Sequence, residues 1–159
     1  MREKKWVLEY RGGILKKEQQ KQLMKWAIDC VNHILPLLDT NINEKIANAI
    51  NIGNNWIIGK AKTGDAIETS REILKYIKAL DNDLEIAITR AAGHAVATAH
   101  MADHSMGTVK YCLDAIEIIG GSIEEEVKWQ IRNIPNELKE LVLEGLINKN
   151  IIDTSLKIN

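Results

Sequence analysis

The chain has 159 residues, with 21 Lys and Arg against 22 Asp and Glu and a formal charge of −1. That length buries a substantial core in one domain without disulfides, and the balanced charge excludes the chain-wide basic footprint of a nucleic-acid binder. No apolar run approaches the roughly 20 residues that span a bilayer, and MREKKW has no apolar stretch behind its charges to form a signal peptide, so a cytoplasmic protein is expected.

In chain order, residues 1–15 read as an irregular or weakly extended arm that ends in a turn at Gly12-Gly13. From Lys17 to about Leu38, Leu23, Ala27, Val31 and Ile34 recur at helical spacing, until Pro36 ends or kinks the helix. Asp29 and His33 lie one turn apart on it and form a local acid–histidine pair. A second helix is expected over Asn43–Lys60, and a third opens at Thr63-Gly64-Asp65 and closes near Asp81. Gly53, Gly59 and Gly64 have neither the dinucleotide-binding nor the P-loop spacing, which excludes a phosphate cradle of those types.

Asn82 and Glu85 stand at capping-box spacing, and the helix they open is expected to run from about 84 to about 119, where Gly120-Gly121 stops it, with Ser105-Met106-Gly107 as a place that could soften it midway. Ser122 and Glu125 repeat the capping box, with Glu124–Glu126 in the first turn of the next helix. After Pro135, Leu138, Leu141, Val142, Gly145 and Leu146 complete the template of a last helix, followed by a frayed tail over 149–159. The pattern gives an all-α, compact bundle of about six helices around the small-residue helix 84–119. Cys30 and Cys112 fall in apolar-periodic segments and read as reduced core thiols. The chain has no Phe, so Trp6, Trp26, Trp56 and Trp129 serve as the large aromatic pins.

The stretch RAAGHAVATAHMADHSMGTVKY, residues 90–111, carries three of the four histidines among few large side chains. On a continuous helix Ala91, Ala95, Thr98, Ala99, Ala102, Met106 and Val109 share one face, and His100, His104, Gly107 and Tyr111 the other. Arg90 and His94 flank the second face, and Asp103 lies beside His100, making one polar arc. Such an arc fits a structural hydrogen-bonded network in which Asp103 fixes a histidine tautomer. It also fits a ligand site in which His94, His100, Asp103 and His104 face a pocket closed by Asp29 and His33. In a metal version His100, Asp103 and His104 would bind zinc or another transition metal, with hydrolysis as the chemistry. Met101 stands where H-E-x-x-H needs its glutamate, no G-x-S-x-G occurs, and neither cysteine lies in an electropositive motif. No catalytic residue is therefore assigned and no cofactor is expected.

RGGILKKEQQKQLMKWAIDC near the start, RAAGHAVATAHMADHSMG in the middle and PNELKELVL near the end resemble a bacterial family of putative immunity proteins, the immunity-protein-five-like proteins of polymorphic-toxin systems. The likeness covers roughly residues 10–147, and Arg90, Gly93, His94, Thr98, His100, Asp103 and His104 match its central block. The resemblance implies a small helical cytoplasmic protein whose partner is a cognate toxin that it neutralises by binding, and it brings no catalytic motif.

Overall fold

The computed structural model describes residues 3–39 and 41–155. Its elements are α1 (Lys17–Ile34), α2 (Glu44–Ile57), α3 (Thr63–Tyr76), α4 (Asp83–Ala97), α5 (His104–Ile118), α6 (Ile123–Arg132) and α7 (Lys139–Asn148), with short 3-10 turns between them. The all-α reading holds. The only β pairing among the described residues is a single bridge between Leu8 and Leu15, which folds the N-terminal arm back on itself. Trp6, Leu8 and Leu15 of that arm are buried in the common core.

Most helix ends follow from local chemistry. The Asn43 side chain accepts the N–H groups of Lys45 and Ile46 at 3.0 Å each, and thereby opens α2. Asn82 accepts Glu85 N–H at 2.9 Å and Ser122 accepts Glu125 N–H at 3.2 Å, as their spacing predicts. Gly120 takes φ 72°, a left-handed conformation that costs glycine nothing, and α5 has ended just before it. Pro36 sits inside the 3-10 turn Leu35–Leu38 that follows α1.

One expectation fails. The helix predicted over 84–119 is two helices, broken at residues 98–103 with neither Gly nor Pro at the break. The cause lies in α1, where Gln20 is 1% exposed. Its Nε2 donates to the carbonyl oxygens of Thr98 and Ala99, 2.9 Å each. These are carbonyls that a continuing helix would pair with its own N–H groups. The side chain supplies the partner instead. The backbone tightens to i→i+3 bonds at Thr98, Ala99 and His100, with Ser105 Oγ donating to Ala102 O at 2.7 Å on the far side of the corner.

The corner folds α5 back along α4, so their small-residue faces pack on each other and on α1. In α4 the residues Ala87, Ile88, Ala91, Ala92, Ala95 and Val96 are all buried, which makes it the central rod, in contact also with α2 and α3. Trp26 of α1 is buried and donates to Gln130 O at 2.9 Å, tying α6 to the bundle, while Trp56 Nε1 donates to Thr63 Oγ1 at 3.1 Å across the α2–α3 loop. Cys30 and Cys112 are free and buried, and burial pushes both thiols well above their ordinary range. The tail 149–159, expected to be partly frayed, begins with residues bonded to α7. Ile151 and Ile152 N–H bond to Leu146 O, and Ile152 is buried. Residues 156–159 of that tail, residues 1–2 of the arm and Thr40 of the loop after α1 lie outside the described residues.

Gln20→Ala leaves two buried carbonyls without their donor, so it should lower the unfolding free energy by about 2–4 kcal/mol. Urea denaturation checks this; a change within about 0.5 kcal/mol, the range of ordinary surface substitutions, would show that the corner does not depend on Gln20.

Candidate functional site

Glycine at position 93 lets α3 lie close to α4, because a Cβ there would stand 3.0 Å from Ile73 Cγ2. Beyond this contact the helices part around a cleft of about 730 Å³, bounded by α3, α4, the corner and α5. Ile67, Ile73, Leu74 and Ile77 give it an apolar wall; Arg90, His94, His100, His104 and Tyr111 give it a polar one, with Arg71 and Ser70 at the α3 side. The volume falls in the range of ligand pockets, and the mixture of apolar surface with a few convergent polar groups is what such pockets use.

The corner brings the three histidines together, in a different way from that of a continuous helix. His94 Nδ1 lies 3.2 Å from His104 Nδ1, with ring centroids 5.1 Å apart, although the residues belong to opposite arms of the corner. His104 is also 5.4 Å from His100, and His94 is 5.1 Å from the Tyr111 ring. Glycine at 107 makes this possible, since a Cβ there would sit on His94 Nδ1. The His94 pKa is lowered to about 4, chiefly by burial, then by repulsion from His104, Lys110 and Arg90. His94 is therefore neutral at pH 7, and its contact with His104 is a hydrogen bond in which one ring donates and the other accepts. Arg90 and Lys110 place their cations 5.6 and 4.3 Å from the Tyr111 ring centroid.

Asp103 lines a second depression, beside His94, His104 and Lys110 and against residues 148–151, and is absent from the wall of the first. Of the set His100, Asp103 and His104, His100 lines the first cleft, Asp103 the second and His104 both. Among the described residues no group of three or more His, Cys, Asp or Glu is disposed to hold a metal ion.

Asp29 and His33 do not close either cleft, nor do they pair with each other. Asp29 accepts from Lys25 at 3.2 Å. His33 lies 3.0 Å from the carboxylate of Glu126 and stacks flat on Trp129, centroids 3.6 Å apart and planes 1° from parallel. Glu126, only 6% exposed, also accepts from Gln130 Nε2 at 3.0 Å. This makes Glu126 a buried structural acceptor rather than only a first-turn charge. Three residues that matter for the cleft were not marked as site residues by the sequence: Arg71, Leu74, whose spacing fits the apolar stripe of α3, and Gln20. The first two sit on the exposed side of α3, and Gln20 acts across the bundle.

The family model described as Imm-5 like putative immunity protein matches residues 13–137, which take in α1 to α6 and every residue of the cleft. The chain belongs to that family. No curated protein and no solved structure matches it significantly. Among the described residues of this Imm-5 like protein, no helix is long and apolar enough to cross a membrane.

The depressed pKa of His94 makes the fold sensitive to acid. The unfolded ring titrates near 6.5 and the folded one near 4. Between these values the unfolded state binds more protons, so stability is full above about pH 6.5 and falls as pH drops towards 4, by up to about 3 kcal/mol. Urea unfolding of the wild type and His94→Gln from pH 7 to 4 checks the sign: the slope should be shallower in the variant. Equal slopes would assign the acid sensitivity to other groups.

Proposed function

We propose that this Imm-5 like protein neutralises a cognate bacterial toxin by binding it, inside the cell that makes both. The observation that carries the reading is the family match over residues 13–137. The geometry supports binding over catalysis. The cleft offers imidazole and guanidinium donors and an apolar wall. Its best-placed base, His94, is hydrogen-bonded to another imidazole and not to a hydroxyl or thiol that it could activate, and both cysteines are buried thiols held protonated. Arg, Tyr and Met side chains line the cleft, residue types favoured where protein partners dock.

Coexpression tests the reading. Open reading frames flanking the gene are expressed singly in a laboratory bacterium to find one that arrests growth, and the arrested strain is then given this chain. Growth should return, and the two proteins should copurify as a stoichiometric complex. Failure of every growth-arresting frame to be relieved, or relief without a complex, would contradict neutralisation by binding.

A further inference from the structure

The two arginines of the α3–α4–α5 cleft set it apart from the rest of the surface. The whole chain has 22 acidic and 21 basic residues, yet no Asp or Glu lines this cleft, while Arg71, Arg90 and three histidines do. Five other cations, Lys5, Lys25, Lys45, Lys110 and Lys128, each stand within 3.4 Å of a carboxylate. Among the described residues neither Arg71 nor Arg90 is in such an ion pair; Arg90 lies against the Tyr111 ring, with Asp83, Asp114 and Glu117 lining the adjoining groove. A guanidinium left over an aromatic ring at the mouth of a cleft keeps its in-plane donors for an incoming group. Opposite stand Ile67, Leu74 and Ile77, with Leu74 60% exposed, an apolar residue that nothing in the fold covers.

We propose that this cleft is the toxin-docking site, and that it receives an acidic segment of the toxin carrying at least one apolar anchor. Carboxylates of that segment pair with Arg71 and Arg90, and the anchor packs on the Leu74 side. Charge complementarity selects the partner and steers its approach. His94, kept neutral by burial and its cationic neighbours, stands beside His104 in the polar wall and adds no fixed positive charge of its own. The inference rests on the toxin-binding reading and adds the site and the chemistry of the partner.

The test uses the full chain with the toxin whose growth arrest it relieves. Arg71→Glu with Arg90→Glu, and separately Leu74→Asp, alter exposed residues and leave the core untouched; circular dichroism and the urea midpoint verify that both variants are folded. Lys25→Glu, on α1 away from the cleft, is the control. Calorimetry at low salt should give a Kd at least ~100-fold weaker for the arginine pair, a loss of at least ~10-fold for Leu74→Asp, and no change for Lys25→Glu. The rescue of growth should fail for the arginine pair alone among the charge reversals. A wild-type chain that binds the toxin, with cleft variants that bind it equally well, would overturn the cleft as the site while leaving toxin binding intact. Equal weakening by the control would reduce the effect to net charge and overturn it as well. A wild-type chain that binds no toxin would remove both the reading and the inference built on it.

Discussion

The two bonds from Gln20 to the carbonyls of Thr98 and Ala99, just past the end of α4, are the constraint on which the rest of the bundle depends. A helix that continued from residue 84 to 119 would be about 54 Å long and would expose one small-residue face or the other along much of its length. By accepting neither outcome, the chain needs a sharp reversal without Gly or Pro, and a reversal inside a core leaves carbonyls unpaired. Gln20 supplies two hydrogen bonds from a buried position on α1, so the corner is anchored to the helix that both arms pack against.

The site follows from that reversal. His94 lies just before the corner, His100 lies in it and His104 opens the next helix, so the fold rather than a helical repeat brings the first two rings within 5.4 Å of the His104 ring. Two glycines make room: one at 93 for α3 and one at 107 for the His94 ring. Polar groups pressed together in this way must settle their charge, and burial with neighbouring cations settles it by keeping His94 neutral. The fourth histidine is handled differently. His33, stacked on Trp129 and facing Glu126, ties α1 to α6 and takes no part in the cleft. The cleft that remains is cationic in a chain of nearly balanced charge, and this asymmetry is what the proposed docking of an acidic toxin segment rests on.

What the sequence made legible was whatever is settled within one turn. Asn82 with Glu85, Ser122 with Glu125, and Gly120 mark helix ends because cap and capped group are neighbours in the chain. The family resemblance was legible for the same kind of reason, since whole blocks carry it. The corner was not, because its cause is 78 residues away and Gln20 reads as one more polar residue in EQQKQ. The partners of Asp29 and His33 misled in the same way. Their i, i+4 spacing permits a pair, but Lys25 competes for Asp29 at the same spacing and a buried Glu126, 93 residues distant, competes for His33. The rings of His94, His100 and His104 do come near one another, but through the corner and not through one helical face, so that geometry came from tertiary structure alone.

The most direct test of the account measures whether α4 and α5 fold back on each other. Spin labels at Asp83 and Glu117, which line one shallow groove where the two arms come together, should report a short separation, under about 25 Å with the labels' own length included. Cys30 and Cys112 are buried and are replaced by Ala for the labelling. A continuous helix puts the same positions about 51 Å apart. A short distance supports the corner and the cleft that it builds; a distance near the longer value would contradict the corner, and with it the grouping of the three histidines.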